Sequence, residues 1–64
     1  MIKIDAEGAE VDVLRGGVAL LREHRPTLIV EFSDEARLVE AEVLLPDYAF
    51  ELLSDLHYVL RPRR

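Results

Sequence analysis

The run Thr27-Leu28-Ile29-Val30-Glu31-Phe32 constrains the fold of this chain more than any other segment. It is almost continuous in apolar β-formers and shows no polar alternation. A strand with one face in water alternates apolar and polar side chains, whereas a strand covered on both faces does not. The run therefore predicts a strand inside an α/β sheet, buried on both faces, with parallel neighbours. Pro26 precedes it, and Ser33 and Asp34 follow it as candidate N-caps for a helix.

The flanking segments supply the elements such a strand requires. Met1 to Asp5 alternates isoleucine with polar residues, and Gly8 closes it, which reads as a short strand and its turn. From Ala9 to Glu23, residues Val11, Leu14, Val18 and Leu21 recur at helical spacing. Glu10 and Asp12 suit the positive end of that helix, and Gly16-Gly17 predicts a kink or a division into short helical pieces rather than a phosphate cradle. Leu38, Ala41 and Leu45, flanked by Val39 and Val43, predict the buried side of a helix that Pro46 ends. Tyr48–Leu53 and Leu56–Leu60 read as strands, with Ser54-Asp55 as the turn of a hairpin and Tyr48, Phe50 and Tyr58 as core or cross-strand residues. The order is strand, helix, strand, helix, strand, strand. Strands joined by a helix are parallel with a right-handed crossover, and the hairpin adds an antiparallel edge.

Size and charge bound the function. A chain of 64 residues buries only about 60% of the surface that it exposes when unfolded. No cysteine is present to add a disulfide or a thiolate metal site. The length therefore predicts one partial domain over residues 1–64 rather than a whole one. Thirteen acids against eight bases give a net charge of −5, the wrong sign for a nucleic-acid partner. The basic tail Arg61-Pro62-Arg63-Arg64 has no interleaved aromatic residue and reads as a solvated end. No apolar run approaches the roughly 18 residues of a membrane span, and Met1 to Asp5 lacks signal-peptide character. The expected compartment is the cytoplasm, with no membrane partner.

Chemistry is expected at the carboxyl ends of the parallel strands, where open α/β sheets bind ligands. Asp5, Glu7, Gly8 and Glu10 follow the first strand, and Glu31, Ser33 and Asp34 follow the second. Parallel pairing would bring the groups to one edge, crowding carboxylates and raising at least one pKa, as a general base requires. Glu31 ends an apolar run and is costly to bury unpaired. Lys3 shares a strand face with Asp5, so Asp5 or Glu31 is its expected partner. The pair is either a structural ion pair or a device that orients or deprotonates a substrate hydroxyl. Asp5, Glu7, Glu10 and Glu31 would suit magnesium or calcium, but no calcium-loop spacing is present and an ordinary acidic cleft is favoured. His24 and His57 are far apart and read as surface residues, and Ser33 and Ser54 lack a nucleophile-elbow context.

The same residues carry a family resemblance. Ile2-Lys3-Ile4-Asp5-Ala6-Glu7-Gly8-Ala9-Glu10-Val11, Val13-Leu14-Arg15-Gly16-Gly17, Leu20-Leu21 and Arg25-Pro26-Thr27-Leu28-Ile29-Val30-Glu31 together resemble the C-terminal half of an FkbM-type methyltransferase. That pattern fixes a lysine, acids, glycines and a proline in one order, and it covers residues 1–33 closely. The resemblance implies half of a Rossmann-like class I methyltransferase sheet, beginning at its fourth strand. It implies transfer of the methyl group of S-adenosylmethionine to a hydroxyl of a small molecule or sugar. On the matching positions, Asp5, Lys3 and Glu31 would be the catalytic residues on the acceptor side, with Asp5 contacting or deprotonating the acceptor. Glu7, Gly8 and Glu10 would shape the loop and helix start. No cofactor-binding residue carries over, since no Gly-x-Gly turn occurs and the ribose-holding acid after the second strand of the full sheet is absent. The expectation is an inactive fragment that binds the cofactor poorly. The rival expectation is a non-enzymatic acidic module that binds a partner, or a second copy of itself, through an exposed strand edge.

Overall fold

The computed structural model describes residues 1–5 and 7–63; Ala6 of the motif and Arg64 of the tail lie outside the described residues. The β-branched alternation at the start forms strand β1 (Ile2–Ile4). The apolar stripe that follows divides into helices α1 (Glu10–Gly16) and α2 (Val18–His24). The break falls at the glycine pair, where the Gly17 N–H donates to the carbonyls of both Val13 and Leu14 at 3.1 Å. Arg25 ends α2 in the left-handed conformation, φ 49°, and Pro26 prevents continuation.

Strand β2 (Leu28–Glu31) leads to helix α3 (Glu35–Leu44). Asp34 caps α3, its Oδ1 accepting the Arg37 N–H at 2.9 Å. Ser33, the other candidate cap, is engaged elsewhere. Val39 and Val43 face solvent, so the buried side of α3 is narrower than the sequence suggests and centres on Ala41, with Leu45 just beyond the helix end. Strands β3 (Tyr48–Ser54) and β4 (His57–Pro62) close the chain as a hairpin.

The hairpin turns one residue later than expected. Asp55 and Leu56, rather than Ser54 and Asp55, occupy it, with φ of 26° and 63°. A leucine in that region is strained, and its surroundings hold it there. The Leu56 carbonyl accepts the Phe32 N–H at 2.9 Å, and its side chain packs against the core. The C-terminal segment is also more ordered than a solvated end. Arg61 and Pro62 belong to β4, Arg61 pairs with Glu51, and the Arg63 N–H donates to the Asp47 carbonyl at 2.6 Å.

The strands form one mixed four-stranded sheet in the order β1-β2-β4-β3. β1 and β2 are parallel, with Ile2 beside Leu28 and Ile4 beside Val30. β4 runs antiparallel to both β2 and β3, with Leu60 beside Leu28 and His57 beside Glu31. The core gathers Leu28, Val30 and Leu60 from the sheet and Leu14, Leu21 and Ala41 from the helices. Full burial of each such large side chain contributes about 1.5–3 kcal/mol. Phe32, just past β2, fixes the hairpin through ring contacts with Phe50 (6.4 Å) and Tyr58 (5.9 Å).

All three helices contribute to this one core, and side-chain parity places it on one face of the sheet. The helix residues of this core pack on that face; the opposite face carries exposed Lys3, half-buried Ile29, Glu31 and His57, and buried Val59. The expectation that β2 is buried on both faces is thus corrected. Leu28 and Val30 are buried, while Ile29 and Glu31 are half-buried.

Candidate functional site

The parallel pairing of β1 and β2 brings their carboxyl ends to the same edge of the sheet, as the site argument requires. Glu10 opens α1 beside that edge and is 1% exposed. Its Oε2 accepts the Ser33 N–H at 2.6 Å and also the Ser33 hydroxyl. Its Oε1 is buried without a hydrogen-bond partner among the described residues. Burial pushes the carboxyl pKa up. The hydroxyl and amide of Ser33, with the amides of Glu10 and Gly8, outweigh burial and hold it below the ordinary value. Glu10 and Ser33 thereby clamp the loop after β1 to the loop after β2. Gly8 permits the first of these loops through its φ of 82°; a Cβ there would meet nothing within 4 Å, so the requirement is conformational and not spatial.

The other site candidates sit on the open face or in the loop. Lys3 Nζ lies 3.9 Å from Asp5 Oδ1, both side chains being exposed. β1 is an edge strand among the described residues, and Lys3 is exposed on it. Glu31 Oε2 lies 3.4 Å from His57 Nε2. The other ring nitrogen, Nδ1, faces the carbonyl oxygens of Ser54 at 3.2 Å and Asp55 at 3.1 Å. Carbonyls and carboxylates only accept, so the Nδ1 contacts require a proton on Nδ1, and the Nε2 contact is an ion pair with Glu31 when Nε2 is protonated as well. Glu7 is exposed and borders an open cleft with Lys3, Asp5, Glu10 and Val13.

The acids are therefore distributed among separate partners. Asp5 faces Lys3, Glu10 faces Ser33 and Glu31 faces His57. Among the described residues no group of three or more carboxylates and imidazoles gathers to hold a metal ion. Asp5, Glu7 and Glu10 border one cleft as expected, but Glu10 turns its carboxylate to Ser33 and Glu31 lies beside His57, so the four acids do not converge on one point. Glu10 moreover shifts in the direction opposite to that of a crowded acid. His57 was read as a surface residue; it is half-buried and is the site residue that the sequence did not reveal. The available signal was the register of β4 on β2, which sets His57 beside Glu31.

The mixed sheet is that of an α/β domain, with acidic loops at the carboxyl ends of adjacent parallel strands, the place where open α/β sheets bind ligands. Residues 1–58 match the methyltransferase FkbM domain, and the chain belongs to that family. No curated protein and no solved structure matches the chain. Among the described residues no helix is long and apolar enough to cross a membrane.

Full-length methyltransferases of this family use S-adenosylmethionine, and the described residues do not make a seat for it. Its amino-acid end is held by free amides of a glycine-rich turn following a strand. Here the Gly17 amide is already bonded to Val13 and Leu14. Gly8 stands alone in an acidic loop beside Asp5, Glu7 and Glu10, which repels a carboxylate.

Proposed function

We propose that residues 1–64 form the acceptor side of an S-adenosylmethionine-dependent O-methyltransferase domain acting on a small-molecule or sugar hydroxyl. In this reading β1 and β2 are the fourth and fifth strands of a Rossmann-like class I sheet, and the hairpin β3–β4 supplies the last two. The order β1-β2-β4-β3, with the hairpin's second strand inserted beside β2, supports that assignment. The observation that carries the site assignment is the placement of the Lys3–Asp5 and Glu31–His57 pairs on one open face of adjacent parallel strands.

The chemistry follows from those pairs. The Asp5 carboxylate accepts a hydrogen bond from the acceptor hydroxyl and takes its proton as the oxygen becomes nucleophilic. Lys3, 3.9 Å from Asp5, orients its carboxylate on the open face. Glu31, held by His57, offers a second acceptor for a neighbouring hydroxyl and fixes the molecule's orientation. The Glu10–Ser33 clamp holds the two loops at a constant separation.

In this reading the 64 residues alone bind S-adenosylmethionine poorly and transfer no methyl group. Calorimetric titration of the isolated chain with S-adenosylmethionine is the direct test, with no saturable heat expected. Saturable binding overturns the division into acceptor and cofactor sides. An in-frame Gly-x-Gly turn encoded upstream of Met1, with two further strands between it and Met1, supports the reading, and an upstream frame without such a turn counts against it. A second reading, a non-enzymatic module that binds through its sheet edge, is favoured by the position of β1 at that edge.

A further inference from the structure

We propose that the β3–β4 turn is the positioning device of the second acceptor-side carboxylate: the Ser54 and Asp55 carbonyls fix the His57 ring, and the ring in turn holds Glu31. What Glu31 does for a ligand rests on the acceptor-side reading above. The device itself uses β2, β4 and their neighbouring turn alone, so strands added beyond β1 leave it unchanged. Three consecutive residues at the end of β2 are each tied to a different part of the fold. Ser33 is bonded to Glu10 of α1, the Phe32 N–H donates to the Leu56 carbonyl at 2.9 Å, and Glu31 Oε2 lies 3.4 Å from His57 Nε2. Two of the three ties come from the turn or from the residue that follows it.

The turn, rather than the carboxylate, decides where a single ring proton sits. His57 Nδ1 lies 3.2 Å from the Ser54 oxygen and 3.1 Å from the Asp55 oxygen. A proton on Nδ1 serves both acceptors, whereas a proton on Nε2 alone sets the Nδ1 lone pair against two carbonyl oxygens. The Nε2 contact, at 3.4 Å, is also longer than an ordinary N–H···O bond of roughly 2.7–3.2 Å. A backbone carbonyl commonly fixes a histidine tautomer in this way. Nε2 is thereby held at a constant place beside Glu31, where a second proton completes the ion pair.

The backbone is arranged for this purpose at a cost. Asp55 and Leu56 have successive positive φ values of 26° and 63°, a pattern dominated by Gly, Asn and Asp. Leu56 is the exception, and strain kept beside a candidate site points to a role for the strained residue. Its side chain packs against the core and its carbonyl holds Phe32, so both ends of the residue are anchored. The irregularity of β3 contributes as well. The register shifts between Leu52 and Ser54, which puts Ser54 opposite His57; an uninterrupted ladder would put Leu53 there.

Nitrogen-15 spectra of the histidine rings in the 64-residue chain test this, at a pH alkaline enough to leave imidazoles neutral. Protonated and unprotonated ring nitrogens then differ in chemical shift. His57 is expected with its proton on Nδ1. His24, exposed and with Nε2 3.9 Å from Glu23, is the internal reference for a ring without such carbonyls. Leu56→Ala removes the anchor and shifts the His57 ring toward the reference pattern. Leu56→Met, apolar and of similar volume, keeps the parent pattern. Glu31→Gln leaves the proton on Nδ1, since the turn sets it. A parent ring protonated on Nε2 overturns the proposal, as does a tautomer that changes in Glu31→Gln. An unchanged ring in a folded Leu56→Ala also overturns it. Should Leu56→Ala fail to fold, the parent and Glu31→Gln spectra still decide. The S-adenosylmethionine titration judges the acceptor-side reading, so the two can fail separately.

Discussion

The Glu10 carboxylate accepts both the amide and the hydroxyl of Ser33, a residue 23 positions further along the chain. The contact joins the start of α1 to the end of β2 across the edge where the candidate site lies. A first-turn glutamate ordinarily complements the helix dipole from the solvent side. Here it is buried, so its charge depends on Ser33 for hydrogen bonds that water would otherwise supply.

Glu10→Gln should destabilise the chain by about 1–3 kcal/mol, because the amide oxygen replaces the carboxylate at Ser33 only as a weaker neutral acceptor and the NH2 is buried where Oε1 has no partner. Ser33→Ala should cost about 1–2 kcal/mol, since the amide bond survives. At this chain size each kcal/mol corresponds to a Tm lower by about 4–8 °C. The double variant should lose less than the sum of the single losses. Thermal and urea unfolding of the four chains measures all of this; strict additivity would show that the two residues are not coupled.

The same clamp sets an acid limb. The Glu10 carboxyl is held below its ordinary value of 4.5 in the fold, so the folded state favours its ionised form. Its contribution is complete above the unfolded pKa and is lost as pH falls through the lower folded pKa. Urea midpoints followed from neutral pH down to about pH 3 should therefore fall. Glu10→Gln, starting from a lower plateau, should fall less steeply over that range. Parallel curves would place the acid sensitivity elsewhere.

Tyr48 gives the opposite sign at high pH. Its hydroxyl donates to the Pro26 carbonyl at 2.7 Å, tying β3 to the α2–β2 connection. Burial pushes its pKa above the ordinary 10.0, against the opposing pull of the Arg25 guanidinium. The folded state therefore favours the neutral phenol, whose contribution is full below the unfolded pKa and lost as pH rises through the folded one. Tyr48→Phe should cost about 0.5–1.5 kcal/mol at neutral pH through the lost hydrogen bond. It should also flatten the alkaline limb. An alkaline limb identical in the two chains would exclude Tyr48 as its source.

How far the sequence revealed this arrangement depended on the range of each interaction. The break at Gly16-Gly17, the cap at Asp34 and the stop at Pro26 act within a few residues and were readable in place. The parallel pairing followed from the helical connection between β1 and β2. The partner of Glu31 was hidden, because it depends on the register of β4 against β2, which pairs residues 26 positions apart. The hairpin turn was misplaced by one residue because local turn preference yields to the tertiary bond from Phe32 to Leu56. Glu10 looked like an ordinary helix-start acid, and nothing near it in sequence announces Ser33. The two-faced burial read from Leu28-Ile29-Val30 assumed cover on both sides of the sheet, and the described helices supply it on one.

Gly8 should tolerate volume but not a left-handed penalty. Gly8→Ala places an L side chain at φ 82° in open space, and should cost about 1 kcal/mol from backbone strain alone. A chemically synthesised chain with D-alanine at this position should be as stable as the parent or more so, because its favoured φ is positive. Equal losses for both alanines would mean that the position is limited by contacts rather than conformation.

Asp5 separates stability from the proposed chemistry. Its side chain is exposed and its only described ion pair, with Lys3 at 3.9 Å, is a surface contact of small worth. Asp5→Asn should thus change unfolding free energy by no more than about 0.5 kcal/mol. When residues 1–64 are joined to a segment carrying the cofactor-binding strands, the same substitution should lower kcat for methyl transfer by about 10²–10⁴-fold, the range of a lost general base. Glu31→Gln should raise KM more than it lowers kcat, because its proposed part is orientation rather than proton removal. The stability of the isolated variants is measured first, so that a loss of turnover cannot be attributed to unfolding. Unchanged turnover in Asp5→Asn would move the base to another residue of the open face.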